Sequence, residues 1–210
     1  MSFRARNRRS LHTAEPYVGE TVTGDFRNAL AEQCKFKDMS FYNCQMGLAS
    51  FYKSFFLDCE FHASSLGQVN FNGCSFKNVH FHSCMLDQAQ FRSATFDGCS
   101  FIGGRAEYAS FESAGVKDTK FDLELHGADL RFHGAINVDY GDSNLWGASI
   151  KAGCRQFVGQ KYSVRQLELM LGLLSKTAGN DFLRYGLKQF ISTDMGKVID
   201  RLTLTSEEVV

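Results

Sequence analysis

Residues 56–101 read FLDCE FHASS LGQVN FNGCS FKNVH FHSCM LDQAQ FRSAT FDGCS F, and every block of five opens on Phe or Leu. The same column extends in both directions: Phe26, Phe36, Phe41, Met46 and Phe51 precede the stretch, and Phe111, Val116 and Phe121 follow it. Only Ala31 and Ala106 put a small residue there. Fourteen of the 20 Phe fall in this column, which marks it as the core. Two residues before each large residue stands a small one, such as Cys34, Cys44, Ser54, Cys59, Ser64, Cys74, Cys84, Ala89, Ala94 or Cys99, with Met39 the largest departure. A period of five matches neither the 3.6-residue helix nor the two-residue strand alternation. A short period held over 20 consecutive frames, from Phe26 to Phe121, marks a repeat solenoid.

The frame of a small residue, a polar residue, a Phe or Leu and two polar residues resembles the pentapeptide-repeat family. The resemblance implies an all-β solenoid: a right-handed quadrilateral β-helix of about six coils, with one pentapeptide per side and about 20 residues per coil. The Cys-x-Phe frames Cys34-Lys35-Phe36, Cys59-Glu60-Phe61, Cys74-Ser75-Phe76 and Cys99-Ser100-Phe101 are similar to those of quinolone-resistance members that protect gyrase. Those members are acidic, DNA-width dimeric rods. The repeats here depart from them: residues 20–150 hold 16 acids against 10 bases, only mildly acidic, and the helical tail is longer than one capping helix.

The chain divides into a basic arm (1–20), a repeat body (21–152) and a C-terminal helical cap or dimerisation element with a tail (153–210). The arm carries Arg4, Arg6, Arg8 and Arg9 and suits either a loose end or an electrostatic contact. At 122–127 the register slips, and the pattern resumes one position early at Ala128-Asp129-Leu130, which suggests a bulge or short loop. Weaker frames follow at Val138-x-Tyr140, Ser143-x-Leu145 and Ala148-x-Ile150. Residues 151–162 read as a connector. Ser163 with Gln166 resembles a capping box, and Leu167, Met170, Leu171 and Leu174 recur at helical spacing up to Gly179. A second apolar stripe holds Leu187, Phe190, Ile191, Val198 and Leu202. One helix suffices to close the solenoid end. The second stripe predicts a homodimer through 163–202.

Lys+Arg and Asp+Glu both total 23, so net charge gives no pull toward nucleic acid and no direct nucleic-acid binding is expected. No apolar run reaches membrane-spanning length. In the implied fold, Cys34 and Cys74, Cys44 and Cys84, and Cys59 and Cys99 share a side two coils apart, roughly 9.6 Å, beyond the roughly 7 Å a disulfide tolerates. Free thiols favour a reducing, cytoplasmic setting. There is no GxSxG elbow, phosphate-binding glycine loop, CxxC pair or HExxH, so no enzyme and no cofactor is expected.

Three surface groups are candidate sites. His62, His80, His82 and Glu60 fall in neighbouring columns, as a solvated polar ladder or, in the competing reading, a transition-metal site. Tyr52, Phe55 and Leu57 form a candidate apolar contact patch. Asp87, Glu107 and Glu112 are the acids best placed for DNA mimicry. The expected function is a protein-binding rod or scaffold. The alternatives are a DNA mimic acting on a type II topoisomerase (gyrase or topoisomerase IV) and a secreted or phage-encoded effector that uses the solenoid for display.

Overall fold

The computed structural model describes residues 15–150. They form an all-β parallel solenoid in which each coil pairs with the next about 20 residues on. On one side, Tyr17–Val18, Lys35–Lys37, Phe55–Leu57, Ser75–Lys77 and Thr95–Asp97 pair in that order, all parallel. On the adjoining side the order is Thr21–Val22, Ser40–Tyr42, Glu60–His62, His80–Met85 and Ser100–Arg105. The long strand Gly115–Glu124 joins both ladders, and Gly134–Asp139 pairs onto it. The other two sides are shorter, with single bridges such as Gln45↔Ser65 and Ser50↔Asn70, and Asp129–Leu130 paired to Ser149–Ile150. Register is set by burial. A shift of one residue would turn every Phe outward.

The interior is four columns of side chains. Phe36, Phe56, Phe76 and Phe96 stack under one side, beginning on Tyr17; Phe41, Phe61, Phe81, Phe101 and Phe121 stack under the next; Phe51, Phe71, Phe91 and Phe111 stack under a third. Successive rings are nearly parallel, for example 4.6 Å and 1° for Phe81 on Phe101. Coil spacing enforces this, since stacked strands lie about 4.8 Å apart. Rings of neighbouring columns meet edge to face, as Phe71 meets Phe76 at 5.4 Å and 78°. The fourth column begins on Phe26 and is aliphatic beyond it: Met46, Leu66, Leu86, Ala106, Leu125 and Leu145, all buried.

The small column sits at the corners, where it also serves the backbone. Ser54 Oγ donates to the Ala31 carbonyl at 2.8 Å and accepts from Cys34 N–H at 3.0 Å. Cys74 Sγ donates to the Phe51 carbonyl at 2.9 Å. A small side chain with a weak donor fits where a larger one would not, which explains the Cys and Ser in this column. All six described cysteines are buried and free, as the two-coil spacing requires. The outer corners have their own signature. Seventeen non-glycine residues among those described have positive φ, including Asp38, Asp58, Leu48 and Tyr108. Each costs energy in isolation and persists because the ladders on both sides fix it.

Three features of the repeat refine the expectation. First, the ladder begins at Tyr17, 2% exposed, inside the 1–20 segment read as an arm. Second, of the bulge and the short loop expected at 122–127, the structure has the bulge: the parallel register shifts between Ile102 and Arg105. The spacing from Phe121 to Leu125 is four instead of five; the strand Gly115–Glu124 ends just before Leu125, and His126 and Gly127 form a turn. Leu123 and Leu125 are both buried, so Leu123-Glu124-Leu125 is a frame with a large residue in the small position. The shortening lies opposite Gly103-Gly104, where Ile102 pairs Asp122 but Arg105 pairs Glu124. Gly104 (φ +79) has no room for a side chain, because a Cβ there would lie 2.1 Å from the Cys84 carbonyl oxygen. With Ala106 in the neighbouring large position, the coil below offers a depression, and the oversized Leu123 falls opposite it. Third, Phe132 is fully buried although it stands outside the column. It packs on Phe111 and Phe121 at 6.3 and 6.1 Å, beside a frame centred on the small Ala135.

The expected connector at 151–162, the helices with Leu167, Met170, Leu171, Leu174, Leu187, Phe190, Ile191, Val198 and Leu202, and the arm through residue 14 lie outside the described residues.

Candidate functional site

The side carrying Phe41 to Phe121 presents the most ordered outer surface. Residues on either side of each buried Phe point outward. One outward column runs Tyr42, His62, His82, Ile102; its neighbour runs Ser40, Glu60, His80, Ser100. The sequence placed His62 over His82 and Glu60 beside His80, and the register does the same.

Their geometry follows from the coil spacing. Tyr42 stacks on His62 at 5.0 Å and 27°, and His62 on His82 at 4.9 Å and 11°. His80 and His82 are 6.2 Å apart and tilted by 40°. Glu60 Oε2 is 2.9 Å from His62 Nε2, and His80 Nδ1 is 2.8 Å from Ser100 Oγ. The hydrogen bond from His62 holds the Glu60 carboxyl below the usual carboxylate range. Burial, reinforced by His62 and His80, pushes the His82 imidazole below the ordinary histidine value. Stacking presents ring faces to one another and carries the nitrogens side by side. Among the described residues no group of three His, Cys, Asp or Glu is arranged to hold a metal ion. The two columns are ladders of stacked polar side chains, and the first ends on exposed Tyr42 and Ile102, 47% and 39% exposed.

The other candidates do not converge. Phe55 stands between Lys35 and Ser75 in its column, and Leu57 between Lys37 and Lys77. Tyr52 lies on the adjoining side, with the Lys53 ammonium 5.0 Å from its ring centre. Phe55 and Leu57 thus share the outer face of one strand, with lysines above or below them in their columns. Of the acids, Asp87 is paired with Arg105 at 2.6 Å. Glu112 meets both Arg92 (3.6 Å) and Arg131 (3.2 Å). Glu107 alone of the three forms no ion pair among the described residues. The pairing was hidden in sequence because Arg105 stands 18 residues from Asp87, and only the 20-residue coil makes them neighbours.

The thiols are chemically quiet. Burial pushes Cys44, Cys59, Cys84 and Cys99 up to about 11 and Cys74 up to about 12. At neutral pH they stay protonated, and thiol rather than thiolate is a poor nucleophile.

Residues 34–111 match the family model described as pentapeptide repeat region. No curated protein sequence matches the chain. Among solved structures, a trypsin-treated form of QnrB1, a plasmid-mediated fluoroquinolone resistance protein, is 13% identical, covering 64% of this chain and 92% of that one at a TM-score of 0.40. Full-length QnrB1 is 15% identical, with 76% and 97% covered and a TM-score of 0.19. HetL, a pentapeptide repeat protein involved in heterocyst differentiation regulation from the cyanobacterium Nostoc sp. strain PCC 7120, is 12% identical, with 64% and 81% covered and a TM-score of 0.20. The fold assignment itself is carried by the strand register and the buried columns.

Proposed function

Residues 34–111 are a pentapeptide repeat region, and on that premise we propose that the chain is a non-enzymatic rod that binds a protein partner through one outer side. The observation that carries this is the Tyr42–His62–His82 column. It is a pre-stacked row of rings, extended by exposed Ile102 and flanked by the hydrogen-bonding Glu60, His80 and Ser100. Its side chains are already ordered by the ladder, so docking costs little further conformational entropy. Aromatic groups with polar tips are the residue type that protein interfaces favour. Among the described residues the interior is filled by stacked rings.

The test places a photo-crosslinking residue at Tyr42 or Ile102, with a matched control at Asn72 on another side. A partner captured from Tyr42 and Ile102 but not Asn72, and whose binding to purified protein is lost in His62→Ala/His82→Ala, supports the assignment. Equal capture from both sides defeats it.

The second reading, DNA mimicry at gyrase or topoisomerase IV, is supported by the Cys-x-Phe frames. It is weakened by the arginines that meet Asp87 and Glu112, since a paired carboxylate presents little field to a DNA-binding groove. A supercoiling assay with purified gyrase, with and without ciprofloxacin, separates the two. Protection or inhibition at low salt would displace the docking reading. The same proposal includes a homodimer through 163–202 and a cytoplasmic setting.

A further inference from the structure

The side that adjoins the histidine side carries a different surface at its N-terminal end. One of its outward columns runs Val18, Lys37, Leu57, Lys77, apolar and basic in alternation from coil to coil. Val18 is 48% exposed and Leu57 is half-buried. The neighbouring column puts Lys35 directly below Phe55, which is 37% exposed. Above Phe55 that column turns polar, with Thr95 Oγ1 donating to Ser75 Oγ at 3.1 Å. The lysines here are short of acids. Asp97 stands directly above Lys77 but turns away from it to Lys117, at 3.2 Å, and Lys117 draws Asp118 as well, at 3.5 Å. Among the described residues Lys35 and Lys77 form no ion pair, and Lys37 reaches only Asp38, at 3.9 Å.

The spacing selects what can lie on this surface. Coils repeat about every 4.8 Å, so Lys37 and Lys77 are about 9.6 Å apart with Leu57 midway. On an α-helix laid along the solenoid axis, residues i and i+7 share a face about 10.5 Å apart, and i+3 and i+4 fall between them on that face. Carboxylates at i and i+7 then reach Lys37 and Lys77. An apolar pair at i+3 and i+4 meets Leu57 and Phe55, and an apolar residue one turn before i meets Val18. A β-strand laid the same way repeats on one face about every 6.7 Å and falls out of step with the coils. A flat anionic surface such as a bilayer is disfavoured, because exposed Asp38 and Asp58 stand at the corner beside the same columns and would meet it too. A helix places its carboxylates only at chosen positions.

We propose that this surface docks an acidic amphipathic helix of a partner protein. The helix lies along the solenoid axis, with carboxylates seven residues apart on Lys37 and Lys77 and its apolar residues on Leu57, Phe55 and Val18. The apolar contact supplies affinity, and the lysines set register and speed encounter. The surface lies on a different side from the Tyr42–His62–His82 row, so the two assignments stand or fall separately.

The probe is a fluorescein-labelled helical peptide of about 18 residues, rich in Ala and Gln, with Glu at i and i+7 and Leu at i−4, i+3 and i+4. Anisotropy with the full chain at low salt should show saturable binding that weakens as salt is raised. Lys37→Glu/Lys77→Glu should weaken it by at least about tenfold, and a peptide with Lys in place of both Glu should bind that variant more tightly than it binds wild type. Phe55→Ala should weaken binding of the acidic peptide by about threefold or more, through lost apolar contact. Far-UV circular dichroism confirms that each variant keeps its ladder. No binding by wild type at low salt would overturn the proposal. So would equal binding of an isomer with both Glu moved to the opposite helix face, which would reduce the surface to general charge attraction. Co-sedimentation with phosphatidylserine vesicles under conditions where the peptide does not bind would overturn it as well, and would assign the surface to a membrane instead.

Discussion

Phe76→Ala tests the inward assignment most sharply. Phe76 is 1% exposed and lies mid-column, between Phe56 at 5.1 Å and 10° and Phe96 at 5.0 Å and 4°. Phe71, Phe81 and Phe91 meet it edge-on or tilted at 5.4, 5.9 and 6.0 Å. Truncation removes one ring from five ring contacts and leaves a cavity that cannot collapse, because the ladders hold the coils at fixed spacing. Phe→Ala at such a site costs about 3–5 kcal/mol. For a domain of this size that corresponds to a melting temperature lower by roughly 6–20 °C. It is also a large share of the roughly 5–15 kcal/mol by which domains are stable. In a solenoid each coil contacts only its neighbours, so the loss uncouples the two halves and the transition should broaden. The control is Phe55→Ala, an outward-facing Phe on the strand one coil below, 37% exposed. It should stay within about 0.5 kcal/mol of wild type. Guanidinium denaturation followed by circular dichroism measures both. Equal midpoints for the two variants would refute the assignment of Phe76 to the interior.

Three further outcomes are expected. Gly104→Ala should destabilise by more than the roughly 1–3 kcal/mol of backbone strain alone, because its Cβ would also meet the Cys84 carbonyl at 2.1 Å; a soluble variant with a wild-type denaturation midpoint would contradict this. Stability should fall as pH drops from 7 to 4. His82, depressed by burial, contributes fully above the ordinary value of 6.5 and loses its contribution below it, and Glu60, depressed by His62, loses its own below 4.5; His82→Gln should flatten the upper part of a melting profile against pH, and an unchanged slope would remove His82 as the cause. Light scattering on the full chain at micromolar concentration should give the mass of a dimer, and a monomeric mass would end the assignment of 163–202 as a two-fold contact.

The five-residue period determined the core by itself. A side chain that recurs every fifth position must face one way in every frame, and only burial demands a Phe or Leu there fourteen and more times over. The same period, read through the family it resembles, placed His62 on His82 before any coordinates. It failed where one residue was missing. Leu123 in a small position looked like the loss of the pattern, and only the coil below, with Gly103, Gly104 and Ala106, shows why a large residue fits there. Phe132 was invisible for the same reason: its burial depends on the space beside Ala135 rather than on its own frame. Surface charge was the other blind spot. Sequence gave Asp87, Glu107 and Glu112 equal standing as exposed acids. The coil brings Arg105 to the first and Arg92 and Arg131 to the last, while Glu107 forms no ion pair among the described residues. Periodicity is local and survives in the sequence. Pairing between coils depends on which residues lie one turn apart, and a single deletion moves that by one, so the tertiary structure had to decide it.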